Sequence, residues 1–186
     1  MPRLPFLDNR NDLPPDALPA FDAIIGSRGR MNAPMGLLMY SPNAADRVAH
    51  LGNYLRFESN LSPAIRELAI ITAAREFDCA FVWAAHVPAA LEAGIRQEVI
   101  DAVATFGDIS GLSEDEAAVV RLGRELVGGH QVSQATFDTA RARFGERGLV
   151  DLTTLMGYYL VIATTLITMD VDIPEGRPEL PVARTR

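Results

Sequence analysis

The chain has 186 residues, 48% hydrophobic and 22% charged, a size and balance that suit one core-forming domain and lie outside the polar, highly charged range of disordered chains. A net charge of −7 without any arginine cluster excludes a surface that tracks phosphates, so neither nucleic acid nor membrane is an expected partner. All 17 cations are arginine, which excludes Schiff-base and lysine-nucleophile chemistry, and the single cysteine excludes an intramolecular disulfide.

The N-terminal stretch MPRLPFLDNRNDLPPDALPAF lacks the apolar run of a signal peptide, and a cytoplasmic location is expected. Pro2, Pro5, Pro14, Pro15 and Pro19 predict an extended arm over 1–20, without regular structure, that wraps a neighbouring subunit or its own surface. A short helix is expected around Asp16 to Ser27, followed by RGRMNAPMGLLMYSPN, which is loop-like at its start. Ser41 and Pro42 open a helix to about Ser59, and Ser62 with Pro63 opens the next, where Leu61 can staple across the first turn. Residues Cys79 to Ala93 continue helically until Gly94, a left-handed cap, and IRQEVIDAVATFGD reads as a shorter helix.

Ser113 and Glu116 form a capping box for a helix that closes on Gly128 and Gly129. The segments SQATFDTARARFG and ERGLVDLTTLMGYYLVIATTLITMD supply the last two helices. Strand alternation is absent. The expected fold is all-α, a single-domain bundle of about seven or eight helices over residues 21–172, with an extended tail over 173–186. Leu149 to Met169 is the nearest approach to a membrane span, but Asp151 and five threonines favour a buried core or subunit-interface helix. Because that helix is apolar nearly all round, a homo-oligomer is expected.

Two residues stand out against this scaffold. In CAFVWAAH the seven-residue step from Cys79 to His86 returns a helix to nearly the same angle, about 10 Å further along its axis, with Val82 and Trp83 between. Phe81, Ala84, Ala85 and Val87 make the surroundings of His86 apolar, and Pro88 leaves the carbonyl of Ala84 without its helical donor. Glu67 opens the apolar run LAIITAA, where a carboxylate must be paired, hydrogen-bonded or neutral. Its candidate partners are Arg66, Arg75 and His86. If Glu67 and His86 meet across an antiparallel helix pair, they form a proton relay suited to general acid/base work. If Glu67 instead pairs with an arginine and His86 donates to a carbonyl, both are structural. His50, His86 and His130 lack the spacing of a metal site.

The stretch RELAIITAAREFDCAFVWAAHVPAALEAGI, with LSPAIRELAI before it and GYYLVIATTLITMDVDIPEG after it, resembles the carboxymuconolactone decarboxylase and alkyl hydroperoxidase D superfamily, over roughly residues 40–176. The resemblance implies an all-α fold assembled as trimers or hexamers, and the expected homo-oligomer is a dimer, trimer or hexamer. The hydroperoxidase branch carries a glutamate, a C-x-x-C pair and a histidine, which match Glu67, Cys79 and His86, while the second cysteine falls on Val82. A valine carries no thiol, so the dithiol cycle cannot run within one chain. The decarboxylase branch has a glutamate at that same position.

The expected activity is that of a cofactor-free lyase or isomerase, with no metal, in which Glu67 and His86 move a proton on a small carboxylated or lactone-like substrate. Phe81, Val82 and Trp83 flank the site. Arg28 and Arg30 offer a counter-charge, Asn32 and Tyr40 polar contacts, and the Tyr158–Tyr159 pair one hydroxyl, assigned to Tyr158. The alternatives are a single-cysteine thiol peroxidase using Cys79 and a non-catalytic family member.

Overall fold

Serine followed by proline starts two of the helices, for a local reason. Proline at the first helical position gives up an N–H that would lack a partner, and its fixed φ already suits the helix. Ser62 completes the device: its hydroxyl accepts the Ile65 N–H at 3.3 Å, a cap typically worth about 1 kcal/mol. Ser41 precedes Pro42 in the same way, yet its side chain caps nothing; its carbonyl accepts from Ala44 and Ala45 and its N–H donates to the Leu38 carbonyl.

The computed structural model describes residues 2–182. Over them the chain is all-helical, without a strand: α1 Leu18–Arg28, α2 Ala33–Leu38, α3 Pro42–Asn53, α4 Pro63–Glu76, α5 Ala80–Glu92, α6 Gln97–Ala104, α7 Glu114–Gly123 and α8 Gln134–Thr168. Wider π-type turns, Tyr54–Glu58 and Arg124–Gly128, prolong α3 and α7. The helices cluster into two compact units, one made of the residues up to Glu58 with Thr164–Asp172, the other of Ser59–Ala163 with the tail from Ile173.

In the first unit α1 and α2 pack on α3. The arm is more ordered than its prolines predict. It carries short 3-10 turns at Arg10–Asp12 and Pro15–Ala17, and it lies on its own unit through Leu7 N–H to the Gly36 carbonyl (3.1 Å) and Arg3 N–H to the Met169 carbonyl (2.7 Å). α2 forms inside RGRMNAPMGLLMYSPN, after the start that reads as loop, and Asn32 caps it by accepting the Met35 N–H at 3.1 Å.

In the second unit α4 is the central rod. Its residues Glu67 to Glu76 are all buried, and it contacts α5, α6 and α7, as expected of a helix apolar on every side. Gly123 lets α7 approach: a Cβ there would lie 2.5 Å from Thr72 Cγ2. The Ser113–Glu116 capping box forms as expected. The two predicted C-terminal helices are joined without a loop, in α8, at Gly145, whose φ of 69° and ψ of 175° suit glycine alone. Glu125 fixes the start of α8 by accepting the Ser133 N–H and the Thr136 hydroxyl, both at 2.6 Å.

α8 is long and apolar enough to cross a membrane, as a core helix can be, and half of its most apolar window is buried within the protein. Leu152, Leu155, Met156 and Ile162 fill the core, in line with the reading of a core helix. The tail, expected to be extended, has no helix and returns to its unit, where the Pro181 carbonyl accepts from Arg75 Nη1 at 2.8 Å. Residues 183–186 of that tail lie outside the described residues.

Candidate active site

α4 and α5 pack side by side, and the contact brings Glu67 of one against His86 of the other. His86 Nδ1 and Glu67 Oε2 are 2.7 Å apart. Their side chains are only 15% and 7% exposed, so little water competes for the bond. An ionised carboxylate can only accept, and Nδ1–H of His86 therefore donates to Glu67. In the neutral ring this leaves the lone pair on Nε2, the nitrogen that faces away from Glu67 and is available for proton transfer. Tyr159 of α8 packs edge to face on the imidazole, with centroids 5.0 Å apart and planes at 85°. Tyr158 in turn packs on Tyr159 at 5.3 Å. The ring against the histidine is thus Tyr159, whereas the sequence reading assigns the site to its neighbour Tyr158.

Of the partners expected for Glu67, His86 takes the hydrogen bond and Arg66 stays nearby, its Nε 3.9 Å from Glu67 Oε1. Arg75 turns elsewhere. Its guanidinium lies over the Phe106 ring at 4.6 Å, donates to Pro181 and sits 3.4 Å from Asp78.

Cys79 does not occupy the helical position expected of it. α4 ends at Glu76, Asp78 takes a left-handed φ of 51°, and Cys79 is the extended N-cap of α5 with φ −89° and ψ 90°. The seven-residue phase argument linking it to His86 therefore fails, because helical spacing starts only at Ala80. The thiol is buried. Burial raises its pKa above the ordinary thiol value, outweighing the Val82 and Phe81 backbone N–H groups that favour the thiolate. Val82 and Trp83 are buried core residues, and Phe81 is half-buried.

The remaining expected contacts belong to the other unit. The Asn32 side-chain oxygen is spent on capping α2. The Tyr40 hydroxyl donates to the Pro5 carbonyl at 3.1 Å, and Arg30 is exposed.

The family model for the carboxymuconolactone decarboxylase family matches residues 42–125, the stretch from α3 into the turn after α7 that contains Glu67, Cys79 and His86. The sequence likeness to the carboxymuconolactone decarboxylase family lies in that stretch, a little under half of the chain. Among solved structures it is similar to a protein of unknown function from Agrobacterium tumefaciens, described as a candidate antioxidant defence protein AhpD. The TM-score is 0.65 at 20% identity, over 74% of this chain and 94% of that one, a likeness of fold. No curated protein matches the chain in sequence.

Proposed function

We propose that the protein is a proton-transfer enzyme, a lyase or isomerase working without a cofactor, in which His86 Nε2 moves the proton and Glu67 fixes the tautomer and balances the imidazolium charge. The observation that carries this reading is the 2.7 Å bond between His86 Nδ1 and Glu67 Oε2 in a nearly dry setting. The substrate class follows the family: a small carboxylated or lactone-like molecule whose conjugated carbonyl is the electron sink. In an isomerisation Nε2 takes the proton next to the carbonyl, the electron pair is delocalised as an enolate, and the imidazolium so formed returns the proton to another carbon. In a decarboxylation the C–C bond to the carboxylate breaks, carbon dioxide leaves, and an imidazolium already charged with a proton from water protonates the enolate carbon. The working form is a cytoplasmic homo-oligomer.

The thiol-peroxidase alternative needs a reachable thiolate at Cys79, and the burial of that thiol weighs against it. The test is turnover of small unsaturated lactone acids by the wild type, His86→Ala and Glu67→Gln. Each variant is expected to lose about a hundredfold or more with its helical circular dichroism intact. Turnover that survives in both folded variants would refute the proposal, and turnover lost only in Cys79→Ser would favour the thiol.

A further inference from the structure

Three arginines of the second unit carry partly or wholly buried guanidinium groups, and two of them spend an amino group on backbone carbonyls, although the Nε of Arg75 is left without a partner. Arg75 donates to Pro181 and covers Phe106, and Arg124 Nη2 donates to the carbonyls of Ala102 and Gly107 at 3.0 and 2.9 Å. Arg66 differs. Its side chain is 18% exposed, its Nε is buried and hydrogen-bonds nothing, and its one ionic neighbour, Glu67 Oε1, lies at 3.9 Å, beyond hydrogen-bond reach.

A guanidinium offers five N–H donors in a planar fork; the Nε–H of Arg66 is shut from water without an acceptor, which is costly until one arrives, and the side chain keeps enough exposure for an acceptor to reach it. The acceptor that fits this fork bidentately is a carboxylate. The location gives that acceptor a purpose, since Glu67 links Arg66 through Oε1 to His86 through Oε2. We infer that Arg66 anchors a carboxylate of the small-molecule substrate and so sets the reacting carbon beside the imidazole of His86. This rests on the proton-transfer reading above and deepens it. It also moves the counter-charge from the Arg28–Arg30 loop to the residue next to the proton-moving pair.

A carboxylate at Arg66 has two sources, a small molecule or an acidic side chain of a second copy, and the experiment separates them. The probe is 2-furoate, with its uncharged amide as control, titrated into the full-length protein while the ring 15N resonances of His86 are followed. Wild type is expected to give a saturable shift with 2-furoate and none with the amide. Arg66→Gln should weaken binding at least tenfold, and Arg66→Lys, which keeps the charge without the fork, should fall between, both with wild-type circular dichroism. Equal binding by Arg66→Gln and wild type would overturn the assignment. So would a wild type that ignores 2-furoate while Arg66→Gln and Arg66→Lys change the sedimentation of the protein, which would give Arg66 to an acidic residue of a second copy. Because binding is read without turnover, loss of the anchor and failure of the proton-transfer reading are distinguishable.

Discussion

A carboxylate that holds one nitrogen of an imidazole decides which nitrogen is left for chemistry. At His86 that decision is made by Glu67, a residue whose position in an apolar run is legible in the sequence as an anomaly needing a partner. The choice among Arg66, Arg75 and His86 was not legible, because it depends on how α4 and α5 pack and on the pull of Phe106 and the tail on Arg75. Cys79 misled in the other direction: its spacing from His86 is helical in number, but the chain becomes helical only after it. The burial of its thiol gives a prediction with a definite sign. A raised pKa keeps the thiol neutral through the ordinary thiol range, so alkylation by iodoacetamide should be slow near pH 8 in the native protein and speed up only at higher pH or on unfolding. Rapid alkylation of folded protein at neutral pH would contradict this and revive the thiol reading.

Among the elements, the starts of helices were the best-written feature. Ser62 and the Ser113–Glu116 box announce themselves because capping is local chemistry between residues three apart. Ser41 is followed by proline as Ser62 is and does not cap, and α2 was hidden because six residues carry too little periodicity to signal a helix. Close approach between helices also left little trace. Gly123 reads as an indifferent glycine inside α7 until Thr72 of α4 is seen against it. Gly123→Ala is therefore expected to destabilise the fold by about 1–3 kcal/mol through overpacking, measured by urea unfolding; an unchanged midpoint would show that Thr72 yields freely. That contact lies one helical turn and more from Glu67 along α4, so the variant should lose stability before it loses the Glu67–His86 bond.

At the scale of the whole molecule, helix starts and the lack of strand alternation point to the all-α class but not to the two units, since their segments are interleaved along the chain and no linker marks the boundary. The apolarity of the last helix has two outlets. One face is core, while Val150 and Val161 are 61% and 45% exposed, a pair at helical spacing without a charge between Leu152 and Met169. The proposed homo-oligomer would cover that face. Sedimentation at micromolar concentration should give a mass above the 20.2 kDa of one chain, and Val150→Glu with Val161→Glu should lower it. A wild type that sediments as one chain would contradict the assembly, without touching the bond between α4 and α5.

The hydrogen bond at His86 can be read without knowing the substrate. In 15N-labelled protein, two-bond proton–nitrogen correlations of the neutral His86 ring should show the proton on Nδ1 and a lone pair on Nε2, and Glu67→Ala should release that preference. A wild-type ring with its proton on Nε2 would mean that Glu67 does not hold Nδ1–H, and the nitrogen assigned to proton transfer would not be free to act as the base.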